Sequence, residues 1–219
     1  MTAEFVRSAV GPQQFPADGL PEIAFLGRSN VGKSSLLNCL VGTPGLARTS
    51  SKPGCTQAIQ FYRVTGPPFQ TGPLEKGNAA VAEAARGPIG GGRKIYLVDL
   101  PGYGYAKVPR QQVEEWKKLA ESYLVNRPHL ALCMLILDSR RGWMEPDLEL
   151  KRWLEHFGQP FLVVATKFDK LKTQRERHQG LAAINQGVEK APLIFSAVTG
   201  QGAKEIWQAI GKTESQHQN

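Results

Sequence analysis

Gly27–Ser34 reads GRSNVGKS, the pattern G-x-x-x-x-G-K-S, and no other stretch limits the possible folds so tightly. Glu22–Leu26, EIAFL, precedes it as a short apolar run that predicts a buried strand. Ser35–Leu40, SLLNCL, follows with apolar residues at helical spacing and stops at Gly42. Strand, glycine loop and helix are the context in which this pattern cradles phosphate. Gly27 and Gly32 let the backbone turn tightly, so that successive N–H groups face phosphate oxygens. The helix start adds its positive dipole end. Lys33 is placed to reach terminal phosphates, and the Ser34 hydroxyl to sit on Mg²⁺.

Elsewhere apolar runs alternate with amphipathic ones. Strands are expected at Ile59–Val64, Lys94–Leu100, Leu130–Asp138, Phe161–Thr166 and Leu193–Ala197. Helices are expected over Pro109–Asn126, Asp147–Phe157, Thr173–Val188 and Gly202–Gly211. This alternation predicts an α/β fold, a mostly parallel six-stranded sheet with helices on both faces. IQFYRV and KIYLVDL have no helical pattern between them, so they should pair antiparallel at one edge. Residues 1–21 read as a leader packed on the domain edge, 22–212 as the main domain and 213–219 as a tail. Between the antiparallel strands, residues 66–93 hold seven glycines and four prolines, a composition that rarely packs a core. They predict a long, largely mobile excursion, with one or two helical turns at Asn78–Arg86 or nothing stable there.

Further motifs stand where the predicted strands end. Asp99-Leu100-Pro101-Gly102 has the form D-x-x-G. Asp99 can hold Mg²⁺ through water, and the Gly102 N–H can meet a terminal phosphate. Thr166-Lys167-Phe168-Asp169 has the form T-K-x-D. The Asp169 carboxylate can accept from guanine N1–H and its 2-amino group, which adenine cannot match. Lys167 can lay its stem along the base. Thr166 stands where many GTPases have Asn, which predicts one stabilising amide fewer. Phe195-Ser196-Ala197 can present a backbone N–H to guanine O6. Thr56, in Pro53-Gly54-Cys55-Thr56-Gln57, is the better candidate for a second Mg²⁺ hydroxyl, and Thr49 is its rival.

Taken together, GRSNVGKSSLLN, LARTSSKPGCTQ, VDLPGYGYAK, TKFDKL and FSAVTGQG resemble the EngB family, also called YihA or YsxC, over roughly residues 20–212. The resemblance implies a Ras-like P-loop GTPase that assists assembly of the large ribosomal subunit, with a link to normal septation. It implies nucleotide contacts from Gly27, Arg28, Ser29, Asn30, Val31, Gly32, Lys33 and Ser34. Gly54, Cys55, Thr56, Gln57 and Ala58 would join them, as would Asp99, Leu100, Pro101, Gly102, Thr166, Lys167, Phe168, Asp169, Phe195, Ser196 and Ala197. Mg²⁺ would sit on Ser34 and Thr56. Catalysis would draw on Lys33, Thr56, Gly102 and Asn30, the last either helping to hold K⁺ or only shaping the loop. Two features depart from the family pattern: Cys55 replaces a basic residue, and the 66–93 excursion is longer than the usual turn. Tyr103 stands where many GTPases carry a water-orienting glutamine.

A net charge of +8 favours an anionic partner, with nucleic acid first. Arg48, Lys52, Lys107, Arg110, Lys117 and Lys118 near the switches, with Tyr103 and Tyr105 stacking on bases, form the expected ribosomal RNA surface. Three scattered cysteines, no signal peptide and no bilayer-length apolar run predict a cytoplasmic protein without a membrane partner, and a monomer is expected. A GTP-gated binding module with incidental hydrolysis and a septation factor are the alternatives. A P-loop kinase has no place for TKFD.

Overall fold

The computed structural model describes residues 1–47, 58–66, 93–103 and 110–216. The elements are β1 (Thr2–Ala9), β2 (Glu22–Leu26), α1 (Lys33–Val41), β3 (Ile59–Thr65), β4 (Lys94–Asp99), α2 (Arg110–Asn126), β5 (Leu130–Asp138), α3 (Glu145–His156), β6 (Phe161–Thr166), α4 (Gln174–Asn185), β7 (Leu193–Ile194) and α5 (Ala203–Gln216). They build one sheet in the order β1-β3-β4-β2-β5-β6-β7. β3 runs antiparallel to both its neighbours, while every other pairing is parallel. The fold is the Ras-like α/β arrangement expected from the motifs.

The sheet has seven strands rather than six. Thr2–Ala9 forms the extra strand outside β3, so IQFYRV is not the edge. Its sequence, TAEFVRSA, alternates poorly, and its burial pattern is mostly exposed. No buried face marks it. Cross-strand contacts hold it instead: Arg63 pairs with Glu4 at 2.6 Å, and Phe5 meets Tyr62 edge-on at 5.7 Å. β7 is also shorter than expected, leaving Phe195–Ala197 as a loop. The expected antiparallel pairing of β3 with β4 is present, and Gly66 N–H donates to Arg93 O at 2.7 Å across the mouth of the excursion. Residues 67–92 lie outside the described set.

Strand residues alternate between two apolar clusters. Ile23, Phe25, Leu97, Met134 and Ile136 face α1 and α5, whose Leu36, Leu37, Leu40, Ile206 and Ile210 complete that layer. Ala24, Leu26, Val98, Cys133 and Leu135 face Leu119, Tyr123, Leu124, Leu154 and Ile184 of α2, α3 and α4. Because β2, β4, β5, β6 and β7 are parallel, their carboxyl ends converge on one rim. Crevices beyond that rim are where such sheets bind ligands.

At the opposite rim, the stretch before β2 is pinned to the domain. Phe15 packs edge-on to Tyr123 at 5.4 Å, and the Arg127 guanidinium lies 5.6 Å from its ring centre. Arg127 also grips the buried Glu22 carboxylate, Nε to Oε2 at 2.9 Å and Nη2 to Oε1 at 2.5 Å, and donates to Pro16 O. Tyr123 Oη donates to Glu22 Oε2 at 2.8 Å. Removing one partner of a buried ion pair strands the other charge, at roughly 3–5 kcal/mol. Arg127→Met is expected to lose about 3 kcal/mol of stability, read as a lowered midpoint in urea unfolding.

Candidate functional site

The phosphate loop leaves β2 and enters α1 through Gly32, which is left-handed (φ 111°) and caps the helix. A side chain there would be strained, and it would meet the Thr166 hydroxyl and Lys167 Cε, which pass directly over it. Lys33, nearly buried, folds back so that Nζ donates to Gly27 O at 3.0 Å and Arg28 O at 3.3 Å. Burial pushes its pKa down, and the nearby Asp99 carboxylate opposes that shift.

Asp99 ends β4. Burial raises its pKa, while Lys33 and a hydrogen bond from Ser34 pull it back. Ser34 Oγ donates to Asp99 Oδ2 at 3.4 Å. Among the described residues, Asp99 Oδ1 is buried without a hydrogen-bond partner. A desolvated carboxylate oxygen beside a hydroxyl is the donor set that a hydrated divalent cation would satisfy. The residues therefore fit Mg²⁺ held by Ser34 with Asp99 behind it. Ala58 is described just ahead of β3, whereas Gly54, Cys55, Thr56 and Gln57, with Thr49, lie outside the described residues.

D-x-x-G docks on the phosphate loop. Leu100 N–H donates to Phe25 O, and Arg28 pairs with Tyr103 in a parallel bridge. Gly102 lies flat against the loop: a β-carbon there would sit 2.9 Å from Lys33 Nζ and 2.9 Å from Ser29 N. Only glycine fits so close an approach. Pro101 is buried beside it.

T-K-x-D closes the other side. Thr166 Oγ1 lies 2.5 Å from Val31 O and 2.9 Å from Leu137 O. The expected missing amide is thus no gap, because the shorter hydroxyl reaches the phosphate-loop carbonyl directly. Lys167, left-handed at φ 58°, contacts Asn30 O and pairs with Asp138 Oδ2 at 3.1 Å. Burial alone would raise the Asp138 pKa, but hydrogen bonds from Arg140 and Lys167 outweigh it and hold it at about 2. Asn30 is exposed at the loop's tip, also left-handed at φ 62°. Asp169 follows in a short 3-10 turn, Phe168–Lys170, and its Oδ1 accepts from Ser196 Oγ at 2.8 Å. Phe195 N–H donates to Ala165 O and Phe168 N–H to Phe195 O, so Phe195-Ser196-Ala197 and Thr166–Asp169 lie side by side at the rim.

Tyr103 does not serve the expected RNA surface. Its ring is buried, and its hydroxyl donates to Asp147 Oδ1 at 2.9 Å. Burial, then the Asp147 charge, push the phenol pKa far above its ordinary value, so it remains a donor. The Arg28 side chain likewise turns to Asp147, Nε to Oδ2 at 3.1 Å. Asp147 is in no motif and occupies a place in α3 where leucines would be expected to face inward, yet its side chain is fully buried. Its one sequence signal is its spacing after Met144, whose backbone N–H it caps at 3.1 Å. Of the expected RNA contacts, Lys117 and Lys118 are exposed on α2. Arg48, Lys52, Tyr105, Lys107 and the Arg110 side chain lie outside the described set.

Comparison with known proteins agrees with this geometry. Residues 22–167 match a family model described as 50S ribosome-binding GTPase. The chain is 55% identical over 214 residues to the "probable GTP-binding protein EngB" of Solibacter usitatus, covering 97% of this chain and 96% of that one. It is 45% identical over 218 residues to the protein of the same description from Symbiobacterium thermophilum, covering 95% and 94%. Among solved structures, a probable GTP-binding protein engB superposes with a TM-score of 0.58 at 23% identity, covering 89% of this chain and 99% of that one. Era in complex with MgGDPNP and nucleotides of 16S ribosomal RNA gives 0.61 at 24% identity, covering 89% and 56%. Among the described residues, no helix is long and apolar enough to cross a membrane.

Proposed function

Because this chain belongs to the EngB family of GTP-binding proteins, we propose that it is a Mg²⁺-dependent GTP hydrolase that acts as a switch in assembly of the large ribosomal subunit. One observation carries the reading. Lys33, Ser34 and an Asp99 oxygen with no partner among the described residues gather at the same rim of the sheet as the hydrogen-bonded Asp169 and Ser196. The loop N–H groups and Lys33 would hold the phosphates. Ser34 and Asp99 would hold Mg²⁺, together with Thr56. The bound cation would neutralise charge that develops on the phosphates. Gly102 N–H would meet the γ-phosphate, and Asp169 would read the guanine edge.

Tyr103 is committed to Asp147, so it does not orient the attacking water in place of a glutamine. Asn30, exposed at the tip of the phosphate loop, would help hold K⁺, whose charge would assist in the way an arginine finger does. The +8 charge and the family description support a ribosomal RNA partner.

Three outcomes are expected. GTP and GDP should bind far more tightly than ATP, and Asp169→Asn should shift preference toward xanthine nucleotides, losing about 1–3 kcal/mol for each guanine bond removed; equal ATP and GTP affinity in competition titrations would sink the assignment. Free-protein hydrolysis should be slow, on the order of 10⁻⁴ s⁻¹. It should run faster in K⁺ than in Na⁺ at matched ionic strength, with the difference gone in Asn30→Ala. Large ribosomal subunits should co-sediment with the protein more strongly in GTP than in GDP, with log affinity falling linearly with log salt. Salt-independent association would redirect attention to a protein partner, such as a septation factor.

A further inference from the structure

Asp147 gathers three donors in the domain interior. Oδ1 takes the Tyr103 hydroxyl, and Oδ2 takes Arg28 Nε and the Met144 N–H. The first donor comes from the residue directly after D-x-x-G, the second from the phosphate loop and the third from the start of α3. Tyr103 is held at its backbone as well, because its carbonyl accepts from Ser29 N–H at 3.1 Å. The residue covalently before it is Gly102, where the space left towards Lys33 Nζ and Ser29 N is too small for a β-carbon.

This arrangement matters for a third phosphate. A γ-phosphoryl oxygen that meets both Lys33 Nζ and Gly102 N–H needs a hydrogen-bond length of roughly 2.7–3.0 Å on each side. Gly102 borders that volume so closely that a β-carbon on it would lie 2.9 Å from Lys33 Nζ. A diphosphate places nothing there. A ligand shifts a conformational equilibrium only by its differential affinity for the two states, so a hold on Gly102 weighs on GTP and not on GDP.

We propose that Asp147 is a positioning residue that sets the discrimination between GTP and GDP: by anchoring Tyr103 it keeps Gly102 against Lys33, and GTP binding must draw Gly102 back against that anchor. The proposal rests on the guanine-nucleotide reading above. Arg28 completes the device by orienting the Asp147 carboxylate and tying it to the phosphate loop.

The test compares equilibrium affinities for GDP and for a non-hydrolysable GTP analogue, both with Mg²⁺, in the full chain and in Tyr103→Phe. The phenylalanine ring fills the same space and removes only the hydroxyl. GDP affinity should change by less than twofold. Affinity for the GTP analogue should rise about tenfold, the upper range for one intramolecular hydrogen bond. Asp147→Asn, nearly the same shape, is the second variant and should move the ratio in the same direction. A purely structural role would lower both affinities together and leave their ratio alone. An unchanged or reduced ratio in both variants overturns the proposal. Failure of the parent protein to bind either guanine nucleotide would instead overturn the reading on which it rests.

Discussion

Everything at the site depends on a buried ammonium and a buried carboxylate facing each other where β2 and β4 end. Lys33 and Asp99 are each disfavoured in charged form by burial, and each relieves the other. Carbonyls of Gly27 and Arg28 satisfy two of the lysine's protons, and Ser34 satisfies one carboxylate oxygen. The other oxygen has no partner among the described residues. Such a pair is costly to desolvate and contributes little to stability by itself. Its value lies in the anion and cation it can accept, because a low-dielectric setting strengthens each charge that arrives.

The sheet makes this pair possible. Parallel strands deliver the ends of β2, β4, β5, β6 and β7 to one rim, and two apolar layers hold those ends still. Polar ties then cross between rim loops: Thr166 to Val31, Lys167 to Asn30 and Asp138, Phe168 to Phe195. The Thr166–Asp169 turn and the phosphate loop are therefore parts of one hydrogen-bonded unit. Asp147 extends the unit to α3, connecting the start of that helix to Gly102 by way of the Tyr103 side chain.

Much of the site was legible because its chemistry demands particular residues at short spacing. Gly32 is needed for a left-handed turn beneath Lys167, Gly102 for close approach to Lys33, and Asp169 for a carboxylate at a strand end. The parallel core strands were legible because burial on both faces requires continuous apolar runs, as in LALCMLILD. β1 was not, because an edge strand exposed along most of its length carries no such run, and its pairing rests on partners some sixty positions away, such as Arg63 for Glu4. Asp147 was not, because an acid in the first turn of a helix reads as a solvent-exposed cap.

Local chemistry thus determined, from sequence alone, the α/β class, the phosphate loop, the Mg²⁺-binding candidates and the carboxylate proposed to read guanine. Each of these is encoded within a few residues, where backbone conformation and side-chain type suffice. Tertiary structure alone decided that the chain's first strand covers β3, that Thr166 makes up for an absent amide, and that Tyr103 turns inward to Asp147 rather than outward to RNA. Those outcomes depend on groups far apart in the chain but adjacent in space. Whether a tyrosine is an exposed stacking surface or a buried donor is settled by the carboxylate that the fold brings to meet it.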